Sequence, residues 1–327
     1  MRTIGGAGQI GTRDRVCHLI DESCDYNITP MLIECVPNVS EGRRPAVIAE
    51  LTKIVQVPGT RLLDHSSDPS HNRSVFTIVG DIASLQTAVL SLYARAIANI
   101  DLRQHEGEHP RIGVIDVVPF IPLSGASMSD CVELAHTVGA LVSAEHGIPI
   151  FLYEEAAAAS YRRPLESIRR GGLNALAARM RSGEWKPDYG PARPHPTAGV
   201  SVVGARKLLI AFNVNLETRE IDIARTIAAT IRQSSGGLPH VKAIGVRLAE
   251  EGVVQVSMNL TDFEHTSLLT VFEAVSREAA RHGVRVAESE IIGLVPEAAL
   301  SASTARLLRV RGFSPDRILE HRIRDVS

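Results

Sequence analysis

The chain has 327 residues, of which 44% are hydrophobic and 22% charged, with a formal net charge of −2. That length corresponds to roughly two domains, and the composition is that of a globular enzyme. No stretch reaches the roughly 18 uninterrupted apolar residues of a spanning helix, and the opening has no apolar signal core. Cys17, Cys24, Cys35 and Cys131 are too few and scattered for a disulfide framework, so a reducing cytoplasm is expected. The near-neutral charge excludes a general nucleic-acid surface. Neither nucleic acid nor membrane is expected as a partner.

Residues 1–30 read as a loose leader: Gly5, Gly6, Gly8 and Gly11 lie in a polar opening without periodicity, and Met31 looks like a natural start. A pattern then occurs twice. Residues 32–36 predict a strand, and Val47, Ile48, Leu51, Ile54 and Val55 a helix stopped at Pro58-Gly59. Two strands (61–64 and 75–79) are expected around a polar loop at 65–74. A helix carrying Leu85, Ala88, Val89, Leu92 and Ala96 and a β-branched strand at 112–120 complete the first copy. The second copy runs from a strand at 208–214 through a helix with Ile221, Ala224, Ile227, Ala228 and Ile231. It continues through strands at 241–248 and 253–260 around a four-residue turn, a helix with Leu268, Val271, Phe272 and Val275, and a strand at 290–295. Between the copies lie a helix at 128–146, a strand at 148–153, a helix-rich stretch at 154–182, and a segment whose prolines (Pro187, Pro191, Pro194, Pro196) forbid regular structure. The fold class expected is α+β, with two tandem ferredoxin-like βαββαβ units. Helices would cover one face of each sheet, and the free faces would meet around a ligand. The boundaries expected are a leader at 1–30 and subdomains at 31–205 and 206–327.

Two motifs fail on context. Gly6-Ala7-Gly8-Gln9-Ile10-Gly11 matches a dinucleotide fingerprint but has no room for the strand that must precede it. His105-Glu106-Gly107-Glu108-His109 matches a zinc-protease signature. That chemistry needs a stable helical turn, and Gly107 and Pro110 break it. Asn-x-Ser/Thr sequons at Asn27, Asn38, Asn72 and Asn259 carry no glycosylation meaning without export.

Four polar islands interrupt apolar surroundings: 36–42; Asp64-His65 with His71-Asn72-Arg73; 105–111; and Ala205-Arg206-Lys207 with Asn213 and Asn215 on the strand that follows. Strand alternation puts Asn213 and Asn215 on one face, and Gln255, Ser257 and Asn259 repeat the pattern. Such a face is often solvated. Beside histidines and arginines it also suits an anionic ligand rich in heteroatoms. Only Lys53, Lys186, Lys207 and Lys242 are lysines among 35 basic residues. Arginine forks fit planar carboxylates, although a codon bias produces the same excess.

These islands resemble those of the glutamate formiminotransferases. The resemblance is carried by Ile33-Glu34-Cys35-Val36-Pro37-Asn38-Val39-Ser40-Glu41-Gly42, Asn72-Arg73-Ser74-Val75-Phe76-Thr77, Gly107-Glu108-His109-Pro110-Arg111-Ile112-Gly113 and Asp116-Val117-Val118-Pro119-Phe120. Trp185-Lys186-Pro187-Asp188-Tyr189-Gly190-Pro191, Gly204-Ala205-Arg206-Lys207, Ala211-Phe212-Asn213-Val214-Asn215 and Gly293-Leu294-Val295-Pro296 continue it in order from about residue 31 to the end. His71 stands where the family often has Thr, and Gly171-Gly172-Leu173 where it has Gly-Glu-Tyr.

The resemblance implies two α/β subdomains facing each other across a folate tunnel, and transfer of a formimino group between N-formimino-L-glutamate and tetrahydrofolate during histidine breakdown. His109, in Gly-Glu-His-Pro-Arg, corresponds to the family's catalytic histidine. Gly190, Pro191, Ala192, Arg193, Pro194, His195, Pro196, Thr197, Ala198 and Gly199 correspond to its folate loop. Arg73, Arg111, Arg206 and Lys207 become candidate anchors for the carboxylates of glutamate and folate. Asn38, Asn72, Asn213 and Asn215 become candidate hydrogen-bonders. Tetrahydrofolate is expected as co-substrate, no metal is expected, and a homodimer is expected. Two other readings stand beside this one: a formyltransferase using N-formylglutamate, and a folate-binding module without turnover. After residue 295 too little chain is expected to remain for a cyclodeaminase domain.

Overall fold

The computed structural model describes residues 31–107, 111–248 and 252–325. The proposed leader and the tip of the 249–252 turn therefore lie outside the described residues.

The first half begins with β1 (Ile33–Cys35) and β2 (Asn38–Val39), two pieces of one line interrupted at Val36-Pro37. Proline has no N–H to give the ladder, which favours a break there. They are followed by α1 (Pro45–Ile54), β3 (Thr60–Asp68), β4 (Arg73–Gly80), α2 (Ile82–Asn99), β5 (Ile115–Pro122), α3 (Met128–His146), β6 (Ile150–Glu154), α4 (Leu165–Arg169), α5 (Gly172–Arg181) and β7 (Ser201–Ala205). The sheet places β3 beside β4, then the β1/β2 line, β5, β7 and β6. The last two contacts are parallel and the others antiparallel. Its two faces are apolar for different partners. Ile33, Cys35, Ile78, Val118 and Phe120 pack against α2 and α3, whose buried stripes include Leu85, Leu92, Leu134 and Val138. Phe151, Tyr153, Val117 and Val202 point the other way and meet Ile168, Leu176, Met180 and Trp185.

The second half runs β8 (Ile210–Leu216), α6 (Ile221–Ile231), β9 (Val241–Leu248), β10 (Val253–Leu260), α7 (Leu268–Arg281), β11 (Val286–Ile292), α8 (Ala302–Leu307) and α9 (Leu319–Asp325). Its sheet is antiparallel in the order β11-β8-β10-β9. Ile210, Phe212, Val214 and Leu216 face a core shared with α6 and α7, which leaves Asn213 and Asn215 on the opposite face. The halves are tied by an apolar cluster of Leu63, Val79 and Leu319 with Leu208 and Leu294. Arg322 donates to the Leu63 carbonyl (2.7 Å) and Lys242 pairs with Glu166 (3.0 Å), both between the halves, while Lys207 in the link before β8 pairs with Asp262 (2.5 Å). Among the described residues, no helix is long and apolar enough to cross a membrane.

The first sheet, expected to carry helices on one face only, is covered on its other face too, where α4 and α5 dock, and three elements differ most from the sequence reading. The polar loop expected at 65–74 is mostly strand: His65, Ser66, Ser67 and Asp68 pair with Phe76, Val75, Ser74 and Arg73, so only 69–72 turn. Backbone pairing at a sheet edge does not require apolar side chains. Strand β7 is unanticipated. It is short, and its Gly204 is needed because a Cβ would sit 2.4 Å from the Tyr153 carbonyl oxygen. The last strand lies at Val286–Ile292 rather than 290–295, ended by Gly293 at φ 77°.

Candidate active site

Three of the four polar islands meet at one edge of the first sheet, where β2 ends and β4, β5 and β7 begin. Asn72 is the knot. Its backbone adopts φ 49°, a left-handed conformation that Asn tolerates better than most residues. Its Oδ1 accepts from the Gly42 N–H (2.9 Å) and its Nδ2 donates to the Glu106 carbonyl (2.9 Å). The Asn72 carbonyl accepts from His105 Nε2 (2.9 Å), which places the ring proton on Nε2. Burial, helped by the Arg111 guanidinium, holds His105 below the ordinary imidazole value. Arg111 donates to the carbonyls of Gly107 (3.1 Å) and His105, fixing the segment that leads into 108–110. Ser40 Oγ donates to the Gly113 carbonyl at 2.7 Å. Burial would raise the Glu41 carboxyl, but the N–H groups of Arg43 and Arg44 and the Arg44 side chain hold it below its ordinary value. Residues 105–107 are not helical, so the zinc-protease geometry does not form there. His109 itself lies outside the described residues.

Beside this knot stands an arginine cluster around one carboxylate. Val39 opposes Ile115 while Asn38 opposes Val117, so the register slips by one residue at Asp116. Such a bulge re-aims side chains. Ile115 and Val118 both enter the helix-covered core, and Asp116 joins Arg73 and Arg111 in lining a small cavity with Asn38. Asp116 accepts from the Ile112 N–H through Oδ1 (2.8 Å) and from Arg169 of α4 through Oδ2. Burial, then the nearby Arg169, pushes Arg73 below the ordinary guanidinium value, against the pull of Asp116. Among the described residues, Nε of Arg73 and Nε of Arg169 are buried without a hydrogen-bond partner. A buried donor left unpaired costs about 1–3 kcal/mol. Two guanidiniums, Arg73 and Arg111, line the cavity against the one carboxylate of Asp116, which Arg169 already engages, so the cavity favours an anion.

The other proposed residues distribute as follows. Asn38 Nδ2 donates to the Val36 carbonyl at 3.0 Å. In the 190–199 loop, Gly190, Pro191, Ala192, Arg193 and Pro196 are exposed, Pro194 is half-buried, and Ala198 is buried. His195 Nδ1 accepts from the N–H groups of Thr197 (3.3 Å) and Ala198 (3.0 Å), closing a turn back onto Gly199. Gly199 adopts φ 73° and bridges to Gly113, beside Ser40. The loop's second half thus abuts the knot. Arg206 lies elsewhere: its N–H binds the Phe120 carbonyl, about 13 Å along β5 from Asp116 at strand rise. There it faces Glu34, whose carboxyl burial pushes up to about 7 against the pull of Arg206. Lys207 is taken by Asp262. Asn215 accepts from Gln255 (2.9 Å) and donates to Glu288 (3.3 Å), and Asn213 pairs in register with Ser257 and Glu290. Arg311 reaches both glutamates, at 3.0 and 3.8 Å.

Sequence reasoning did not single out Asp116, Arg169, Glu288 or Glu290. Asp116 was visible as a lone acid opening an apolar strand run. Arg169 gave no signal, because its role depends on where a five-residue helix docks.

A protein-family model described as the formiminotransferase domain, N-terminal subdomain, matches residues 32–206. A second, described as the formiminotransferase domain, matches 211–314. The chain is similar to the glutamate formimidoyltransferase of Streptococcus pyogenes serotype M1, at 48% identity over 86% of this chain and 95% of that protein. It is 43% identical to the enzyme of that name from Thermoplasma acidophilum, over 89% of this chain and 97% of the relative. The formimidoyltransferase-cyclodeaminase of Sus scrofa is 44% identical over 84% of this chain, which spans 52% of that longer protein. The chain belongs to the formiminotransferase family.

Proposed function

We propose that this protein is a glutamate formimidoyltransferase that moves a formimino group between N-formimino-L-glutamate and tetrahydrofolate. The observation that carries the reading is the Arg73–Asp116–Arg169 cluster beside Arg111 and the 105–111 segment, with two buried guanidinium N–H groups unspent. Planar forks of this kind bind carboxylates bidentately, and the glutamyl donor presents two. Family membership supplies the group transferred.

In this reading the two halves are built on ferredoxin-like units, and a ligand tunnel lies between the second sheet's polar face and the part of the first sheet that α4 and α5 do not cover. The 190–199 loop holds tetrahydrofolate at the same edge as the knot. The formimino carbon is an amidine-like electrophile. A neutral folate amine attacks it, and a tetrahedral intermediate forms. The glutamate nitrogen then leaves once protonated. His109 takes the proton from the attacking amine and returns it to the leaving nitrogen, a role worth about 10²–10⁴-fold. Arg73 holds the donor carboxylate beside the Asp116–Arg169 pair, and Arg111 and Asn72 fix the loop that presents His109. Holding both substrates converts a bimolecular encounter into a positioned one.

The test is direct. Purified protein is mixed with tetrahydrofolate and N-formimino-L-glutamate, and the folate spectrum and released glutamate are followed together. Equal amounts of formimino-folate and glutamate are expected. Turnover with N-formyl-L-glutamate alone would move the reading to the formyl enzyme, and folate binding without either product would make the chain a binding module.

A further inference from the structure

Away from the arginine cluster, the ends of the β9–β10 hairpin gather three metal-ligating side chains. His240 immediately precedes β9, and Asp262 and His265 follow β10. One ligand atom from each lies within 4.8 Å of the others. The frame that holds them is backbone. Leu260 pairs with Val241, and the Thr261 N–H donates to the His240 carbonyl at 2.9 Å. Thr266 Oγ1 donates to the Pro239 carbonyl at 2.7 Å, clamping the turn that carries His265. The two imidazole rings are 5.3 Å apart.

Asp262 is the second, independent pointer. Its residue is only 4% exposed. Its Oδ2 already receives Lys207 at 2.5 Å and His265 Nδ1 at 2.9 Å. Its Oδ1 is buried and has no hydrogen-bond partner among the described residues. A buried carboxylate oxygen without a partner is costly, and a cation would satisfy it.

We propose that His240, Asp262 and His265 form a binding site for a single borderline divalent cation such as Zn²⁺. Two imidazoles and one carboxylate suit Zn²⁺, with water in the fourth position, whereas Ca²⁺ and Mg²⁺ want a shell of oxygens. Ligand atoms sharing a tetrahedral zinc at about 2.1 Å lie about 3.4 Å apart. Closing from the observed spacing takes a movement of the order of an ångström, which the exposed His265 ring can make by side-chain rotation. Since Lys207 reaches Asp262 from the link just before β8, the metal would sit where that link joins the second half. It requires no part in the transfer chemistry.

The experiment uses the full, tag-free chain stripped with a chelator and titrated with ZnCl₂ by calorimetry and with Co²⁺ by visible absorption. His240→Ala and His265→Ala are compared with it, their folding checked by circular dichroism and by melting without metal. One Zn²⁺ per chain, a tetrahedral Co²⁺ spectrum, and affinity lower by at least about tenfold in each variant are expected. Loss of even an outer partner of a ligand costs that much. No binding by the parent chain, or binding that either folded variant retains in full, would overturn the site. Because the readouts are metal affinity and spectrum, the outcome is independent of the transferase reading.

Discussion

Replacing Asp116 by Asn isolates the charge that holds the arginine cluster together. The amide keeps an oxygen for the Ile112 N–H, so that hydrogen bond survives. What disappears is the anion beside Arg169 and Arg73. The side chains of Asp116 and Arg169 are 5% and 18% exposed, so water screens them poorly. At about 4 Å and an effective dielectric near 20, one such pair is worth roughly 4 kcal/mol. Removing one partner of a buried pair costs about 3–5 kcal/mol, because the survivor stays buried and unpaired. The low end, about 3 kcal/mol, is expected here, since Arg169 retains some access to water. Urea unfolding of the full chain measures it. Adding Arg169→Gln to the Asn variant removes the orphaned charge and should recover at least half of the loss. A loss below about 1 kcal/mol, or no recovery in the double variant, would refute the view that Asp116 is what lets guanidiniums gather at this edge.

Three further outcomes are expected. His109→Ala should lower transfer by at least about 10²-fold while folate affinity stays within a few-fold, and near-normal turnover would remove it from the chemistry. Glu34, raised to about 7 from 4.5, keeps in the folded chain a proton that the unfolded chain releases, so stability falls as pH rises from about 4.5 to 7. The whole fall amounts to about 3 kcal/mol at 1.36 kcal/mol per pH unit. In Glu34→Gln, urea midpoints between pH 5 and 7 should lose that slope, and an unchanged slope would show that the carboxyl titrates normally. Gly42→Ala would place a Cβ 2.4 Å from the Asp68 carbonyl oxygen and 2.5 Å from the Arg73 nitrogen, both backbone. A loss of about 1–3 kcal/mol and a raised KM for the glutamyl donor should follow, and unchanged melting and KM would contradict it.

Most of the fold was legible because its signals are local. The stripes Leu85, Ala88, Val89, Leu92 and Leu268, Val271, Val275 recur at helical spacing and are buried as such. Strands Val241–Leu248 and Val253–Leu260 stand where alternation and Gly252 put them. The misses share a cause. His65–Asp68 are polar residues paired at a sheet edge. Ser201–Ala205 is a five-residue strand held from both sides by neighbours distant in sequence. In both, tertiary pairing outweighs composition.

The site divides along the same line, and the division explains why resemblance reached further than periodicity. Asn72 could be named from sequence as a short amide in a polar island. Its work depends on two contacts more than 29 residues away, Gly42 and Glu106. Asp116 sits in an apolar strand where alternation would send it into the helix-covered core with Val118. Only the one-residue slip against β2 turns it toward Arg73. A buried carboxylate without partners would have been expelled or neutralised. With Arg169 delivered by α4 and the Ile112 N–H delivered by its own strand's entrance, both its oxygens have donors. Its charge in turn permits Arg73 to remain buried with a donor unspent. The anion-seeking character of this edge therefore belongs to the bulge and the docked helix together, and neither leaves a mark in residue spacing.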